Sequence, residues 1–432
     1  MLLDFTVANY RSIKEPVTLS AVAQKQRHAQ SNENSKRKRV KPDDKIASTF
    51  SLDEWDFEVL PTVGIFGANA SGKSNVVQAI DCLISLINFG HADERLQTFT
   101  RAKITSFNLD SSTIGKPTTF KLRFVANLAI YTYSLSLNQT QIFSEILDYE
   151  LASTKRSRCL FRRIWNHRDN KFDWKHGSDF KGPHLQLRKS LKKSELFLSI
   201  LDSLNIEIIT SLQNWFRFSL SNSNQNILGF EQAFILTAMA DERMSHDLLK
   251  RITQIIKKFD TGIVEIEVRK SNEMEDGINN IYALHKSIEG NTVRWLFKEE
   301  SLGTQRLFNF AFRLLLALDK GCLLILDEIS ANIHPNITRA IIQMFQSEKS
   351  NPNHAQLIFT SHDNTLQRNN LLRRDQIWFT QRKPDHSTEL YPLTDFKVRN
   401  DLAIDKAYLD GRFGAVPILP SEGELLSEVE DS

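Results

Sequence analysis

The sequence predicts an α/β fold: a core sheet of parallel strands around a glycine-containing loop, an antiparallel β part, and a mainly helical inserted lobe. Three observations point to it. First, "PTVGIF" at 61–66, "CLLIL" at 322–326 and "QLIFT" at 356–360 are short, continuous apolar runs. Strands of a parallel sheet covered on both faces read this way, because neither face meets water. Second, "GANASGKS" at 67–74 follows the first of these runs at once and opens a helical stretch from Lys73 to about Phe89. Third, residues 118–150 contain "TTFKLRFVAN", "AIYTYSLSL" and "QIFSEILDYE", whose alternation suits an antiparallel meander.

Taken in order, "MLLDFTVANY" alternates as a strand, and "VTLSAVA" at 17–23 is its expected partner. Residues 24–56, with "KRKRVK" at 36–41, have little to bury and are expected as a loop. Residues 194–260 read as mainly helical, and strand patterns resume up to residue 298. "EESLGTQRL" at 299–307 then opens a very apolar helix to about Lys320. Beyond it come a helix at 335–348, strands near 376–380 and 389–393, a helical segment near 401–410 and an acidic tail. The expected divisions are an N-terminal half at 1–150, an inserted basic and helical lobe at 151–260, and a C-terminal half at 261–432. Sustained heptads are missing from the insertion, which argues against long coiled-coil arms.

Composition sets outer limits. A hydrophobic fraction of 41%, a charged fraction of 25% and a net charge of +3 are ordinary for a globular chain and exclude a uniformly basic nucleic-acid binder. No apolar run reaches the roughly 20 residues that span a bilayer, so no membrane is expected as a partner. Cys82, Cys159 and Cys322 are scattered and lack metal spacing, which fits a reducing, cytoplasmic location.

The chemistry concentrates at the ends of the apolar runs. "GANASGKS" fits G-x-x-x-x-G-K-[ST] in the strand–loop–helix context that the motif requires. Gly67 and Gly72 let the backbone curl around phosphates, with Asn69, Ala70 and Ser71 lining the loop and Asn75 just after it. Lys73 would neutralise the β/γ oxygens of ATP, and Ser74 would ligate Mg²⁺. Asp327 and Glu328 end the run at 322–326 and supply a second Mg²⁺ contact and a base that orients the attacking water. His362 lies just past the run at 356–360, at the carboxyl edge where doubly wound sheets bind ligands, and is expected to sense the γ-phosphate. Ser301 and Gly303 at a helix N-terminus form a second anion site. An ordinary helix cap would explain Ser301 but not the order loop, cap, acid pair, histidine.

The stretch 155–193 carries thirteen Lys/Arg against three Asp, with Phe161, Trp165, Phe172 and Trp174 interleaved. That mixture suits phosphate contacts with base stacking, so nucleic acid is an expected partner through 155–193. His167, His176 and His184 share the stretch but match no ligand spacing, so a metal nuclease site is not expected there.

These motifs resemble those of ABC-class ATPases, in the branch of SMC, RecF and overcoming-lysogenisation-type proteins. Their split heads place an insertion between the P-loop half and the signature half. Ser301-Leu302-Gly303-Thr304-Gln305 stands where that family has Leu-Ser-Gly-Gly-Gln, with Thr304 in place of the second glycine. The resemblance implies that Ser301, Gly303 and Thr304 cap the γ-phosphate of ATP held by a partner subunit. The chain would then act as a homodimer or a higher even-numbered homo-oligomer. It also implies that Arg11 of "NYRSI" reaches the nucleotide and that "SANIHP" at 330–335 is the D-loop. A Q-loop glutamine has no matching position between residues 90 and 120.

"ESLGTQRLFN", "LDEISANIHP", "QLIFTSHDNTL" and "YLDGRFGAVP" together resemble ATP-binding proteins of the RloA/AbiLii kind. That resemblance implies a role in bacterial anti-phage defence by abortive infection, with an RloB/AbiLi-like nuclease encoded nearby as the effector. A DNA-binding ATPase of the RecF or SMC kind, acting in repair or end sensing, is the alternative. Only 70 residues follow His362, without the acidic pattern of a Toprim domain, so the chain is not expected to be a nuclease itself.

Overall fold

The computed structural model describes residues 1–24, 49–52, 54–90, 94–180, 184–201, 207–221, 242–259, 261–270, 279–368, 371–399 and 402–417. The "KRKRVK" segment, residues 231–241 of the expected helical run and the acidic tail lie outside them.

Two large sheets enclose one helix. The core sheet has the order β11 (Leu220–Ser221), β15 (Leu323–Leu326), β16 (Gln356–Thr360), β5 (Thr62–Gly67), β17 (Ile377–Arg382) and β18 (Thr388–Pro392). All its pairs are parallel except β17 with β18. The three runs expected to form a parallel sheet are thus adjacent, with Leu326 opposite Phe359 and Thr360 opposite Ile65. Their carboxyl ends therefore share one edge. Helix α1 (Lys73–Phe89) covers one face, where Val76, Ile80 and Leu83 pack with Val63, Ile65, Leu323, Ile325 and Ile358. The alternate residues Leu324, Leu326, Leu357 and Phe359 face the other core. Both faces are dry, which is why these strands are apolar throughout.

The second sheet has seven strands, all antiparallel, in the order β10 (Lys171–His176), β9 (Ser157–Asn166), β8 (Ile142–Leu151), β7 (Ala129–Leu137), β6 (Thr118–Ala126), β1 (Leu2–Ala8) and β2 (Val17–Ser20). Its apolar face packs on the far side of α1. The meander expected at 118–150 continues through β9 and β10, so the basic stretch begins as part of this sheet. Phe161 is buried against Phe197 and Phe180, and Phe172 and Trp174 pack against the same core. Alternation along the strands turns these aromatics inward while Arg158, Lys171 and Lys175 stay exposed, as do Lys155, Arg156 and Arg168 in the flanking turns.

Helix α7 (Leu302–Lys320) is buried on two sides. Leu307, Phe310, Leu314 and Leu318 face the core sheet, whereas Phe308, Ala311, Phe312 and Leu315 face a three-stranded antiparallel sheet. That sheet comprises β12 (Ile263–Lys270), β13 (Asn279–Lys286) and β14 (Thr292–Leu296). Two apolar stripes on one helix require burial on two sides. Helix α6 (Glu242–Lys258) completes the second of these cores through Ile252 and Ile256. The divisions expected at 150/151 and 260/261 therefore cut across shared packing: the first falls within the seven-stranded sheet, the second between α6 and β12.

One buried ion pair staples the second sheet. Glu145 on β8 and Arg163 on β9 have no exposed side-chain surface, and Arg163 Nε stands 3.0 Å from Glu145 Oε2. Glu145 also accepts from Tyr133 Oη at 3.0 Å and from the backbone N–H groups of Phe197 and Leu198 at 2.9 Å each. Removing one partner strands the other charge in a dry environment. Arg163→Ala is accordingly predicted to cost about 3–5 kcal/mol in denaturant unfolding, and a loss under about 1 kcal/mol would contradict this reading of the pair.

Candidate functional site

The loop after β5 turns on two glycines. Gly67 has φ +154° and Gly72 φ +104°; a Cβ on Gly72 would lie 2.0 Å from Thr388 Oγ1, and one on Gly67 2.4 Å from the Thr380 carbonyl. These threonines come from β17 and β18 and press the loop from behind. Thr380 Oγ1 bonds Ser71 Oγ at 2.6 Å, and Thr388 Oγ1 donates to the Ser71 carbonyl at 3.0 Å. Asn69 and Ala70 form the exposed rim. Asn75 turns away from the loop, its Nδ2 donating to Ser12 Oγ at 2.6 Å, and Ser12 Oγ in turn bonds Thr388 Oγ1 at 2.7 Å.

Lys73 begins α1 with only 4% of its surface exposed, and its ammonium donates to the carbonyls of Gly67 and Ala68 at 2.9 Å each. Burial lowers its pKa to about 8, a shift that Glu328 and Asp327 partly oppose. Ser74 Oγ donates to Asp327 Oδ1 at 3.1 Å, and Thr360 Oγ1 donates to the same oxygen at 2.6 Å. The two expected Mg²⁺ ligands are therefore already side by side.

Glu328 sits in the left-handed region at φ 54°, where a non-glycine residue is strained and the surroundings must hold it. Three contacts do so. Its N–H donates to Thr360 Oγ1 at 2.8 Å, its carbonyl accepts from Arg306 Nη2 at 2.6 Å, and its Oε1 lies 2.9 Å from His362 Nε2. The acid and the histidine read separately from the sequence thus form one pair at the mouth of the site.

The turn at 301–305 caps α7 as expected. Ser301 Oγ accepts from the Thr304 N–H at 3.1 Å and bonds Thr304 Oγ1 at 2.9 Å. Thr304 is buried beneath the turn, while Ser301 and Leu302 are exposed. A Cβ on Gly303 would meet the Asn332 carbonyl at 2.6 Å, so a side chain there would push against the 330–335 loop. Thr304, by contrast, has a place for its side chain and adds a second oxygen to the cap. Arg306 ties this turn to the acid pair, donating to the carbonyls of both Asp327 and Glu328.

Arg11 has φ 50°; its guanidinium donates to the Gln78 side chain on α1 and lies over Tyr10, 5.5 Å from the ring centroid. It borders the loop's helix rather than the phosphate cradle itself. Thr360, Thr380, Thr388 and Arg306 also belong to the site, although no sequence motif marks them. The basic residue directly after the 301–305 turn was the one local signal for any of them. Among the described residues no three His, Cys, Asp or Glu side chains gather as a metal site, and no helix is long and apolar enough to cross a membrane.

A P-loop backed by a buried aspartate, a strained glutamate and a histidine defines a nucleotide-binding ATPase site of the P-loop class. The chain belongs to the family described as "AAA domain, putative AbiEii toxin, Type IV TA system", whose model matches residues 63–368. No curated protein matches it. Among solved structures, the SMC head domain from Thermotoga maritima aligns with a TM-score of 0.41 at 12% identity, over 90% of this chain and 98% of that one. A Smc head domain with an extended coiled coil, bound to the C-terminal domain of ScpA and derived from Pyrococcus furiosus, aligns at 0.42 and 13%, over 95% and 98%.

The residues present fit ATP with Mg²⁺: a buried ammonium held only by loop carbonyls, and a hydroxyl and carboxylate set together at its side. Phosphate would restore the Lys73 pKa toward 10.5, so binding takes up a proton above pH 8. Affinity should be full below about pH 8 and fall as pH rises from there toward 10.5. Calorimetry in buffers of differing ionisation enthalpy checks this; no proton uptake at pH 9 would contradict it.

Proposed function

We propose that this protein hydrolyses ATP between two facing copies and uses the paired state to control a partner effector. The observation that carries this reading is the turn at 301–305. It offers the N-terminus of a 19-residue helix, with Ser301 and Leu302 exposed, and is tied by Arg306 to the carbonyls of its own acid pair, with Gly303 set against the Asn332 carbonyl. A second copy's γ-phosphate is the ligand such a turn suits. In this reading Lys73 holds the β/γ oxygens, Ser74 and Asp327 hold Mg²⁺, Glu328 orients water, and His362 orients Glu328 and meets the γ-phosphate. Bound Mg²⁺ would supply charge neutralisation for the leaving phosphate. Turnover should be slow, at or below the roughly 1–100 s⁻¹ of kinases, because the output is a conformational state.

The effector and the setting rest on the motif resemblance to RloA/AbiLii-type proteins, which supports bacterial anti-phage defence with an RloB/AbiLi-like nuclease. The family match is named for an AbiEii toxin and supports a toxin-linked setting more broadly. A second reading, a DNA-binding ATPase, draws on the exposed lysines and arginines of β9 and β10. Its aromatics do not serve it well: Lys193 lies 4.5 Å from the Trp165 ring centroid and Arg188 4.7 Å from that of Trp174, so these rings are engaged by the chain's own cations.

Glu328→Gln should bind ATP yet accumulate as a dimer, with hydrolysis down on the order of 100-fold or more, whereas Lys73→Ala should neither bind nor dimerise. Light scattering with and without ATP reads both. Wild-type turnover in Glu328→Gln would remove Glu328 from its role. For the second reading, ATPase activity stimulated by DNA and lost on reversing Arg158, Arg168 and Lys171 would favour DNA over a protein effector.

A further inference from the structure

A groove of about 510 Å³ lies on the C-terminal segment, between Phe396 and Phe413. Phe396, Leu402 and Phe413 supply its apolar surface, and Lys397, Arg399 and Arg412 its charge. The wall is built rather than loose. Arg374 donates to the carbonyls of Val398 at 2.7 Å and Arg399 at 2.6 Å, and Phe413 packs edge-on against Phe396 with centroids 5.3 Å apart. Of the three cations, Arg412 has Asp410 at 4.0 Å; among the described residues Lys397 and Arg399 have no acidic partner. Asp405, on the neighbouring helix α9 (Ile404–Leu409), is taken by Arg368 at 3.1 Å. The groove thus presents net positive charge over an apolar floor.

Pro417 stands four residues past Phe413 in the sequence. The segment beyond Pro417, "ILPSEGELLSEVEDS" at 418–432, contains five acids, no Lys or Arg, and Ile418, Leu419, Leu425, Leu426 and Val429 between them. Both halves of the groove's chemistry are matched in one segment. Fifteen residues reach up to about 50 Å when extended, so the tail can reach a groove whose wall lies four residues from its root. Attachment also gives it an effective concentration in the millimolar range, which a weak, rim-charged contact needs.

We propose that residues 418–432 dock in cis in this groove, placing carboxylates on Lys397, Arg399 and Arg412 and apolar side chains on the Phe396–Phe413 floor. The surface is then an internal docking site for an acidic–apolar peptide. It stands or falls independently of ATP pairing.

The test uses the full-length protein and a zero-length carbodiimide, which joins a carboxylate to a lysine amine in contact. Peptide mass spectrometry should find Lys397 joined to Glu422, Glu424, Glu428, Glu430 or Asp431 in preference to other lysines. An Arg399→Glu/Arg412→Glu variant that keeps Lys397 should lower that yield on the order of tenfold. Raising salt from about 0.1 to 1 M on the unaltered chain should lower it as well, since screening shortens to about 3 Å; that arm needs no variant to fold. Absence of the Lys397 product, indifference to both charge reversal and salt, or products found only between isotopically light and heavy copies would each overturn docking in cis.

Discussion

Everything at this site hangs on one buried carboxylate. Asp327 is 4% exposed at the end of β15, yet it accepts hydroxyls from Ser74 on α1 and Thr360 on β16. An ionised group at that depth is costly unless hydrogen-bonded. The two bonds that satisfy it also lock the P-loop helix and two adjacent strands at a common height. The same Thr360 hydroxyl takes the Glu328 N–H, so holding Asp327 and holding the strained Glu328 backbone are one requirement. Its partner position Ile65 lies two residues before the loop's first glycine. The sheet register therefore sets the distance between the lysine and the acids.

From that point order spreads outward through α7. The helix is squeezed between two cores and cannot shift without disturbing both, and its first turn holds the acid pair through Arg306. Gly303 lies so close to the Asn332 carbonyl that the turn packs directly on the 330–335 loop. In the proposed paired state, whatever the turn meets on a second copy is mechanically continuous with the water-orienting glutamate. Closure and chemistry would then be coupled by packing rather than by a mobile lid.

Much of this was legible in the sequence because the signals are local. A dry parallel strand must be apolar throughout, a phosphate loop needs its glycines and lysine at fixed spacing, and a strand ending in Asp-Glu declares itself. What was not legible comes from residues brought together over long separations. Thr380 and Thr388 support Ser71 from more than 300 positions away, and nothing in "WFTQRKPDHSTEL" marks them. The departure of Thr304 from glycine also makes sense only in three dimensions, where its buried hydroxyl shares the cap with Ser301. The basic stretch shows the reverse failure. Its mixture of cations and aromatics predicts base stacking, but composition cannot say which way a strand turns its aromatics, and here they face the core and the chain's own cations.

The central claim is that one copy's 301–305 turn completes the site built on Lys73 of another. Mixing two inactive variants tests it most directly. A Lys73→Ala copy lacks a usable loop and a Ser301→Arg copy lacks a usable turn, so each alone should be inactive. Paired with each other, they form one site carrying both defects and one site with neither, and ATP hydrolysis should reappear in the mixture. A mixture no more active than its separate components, with both variants folded, would contradict a site shared between copies.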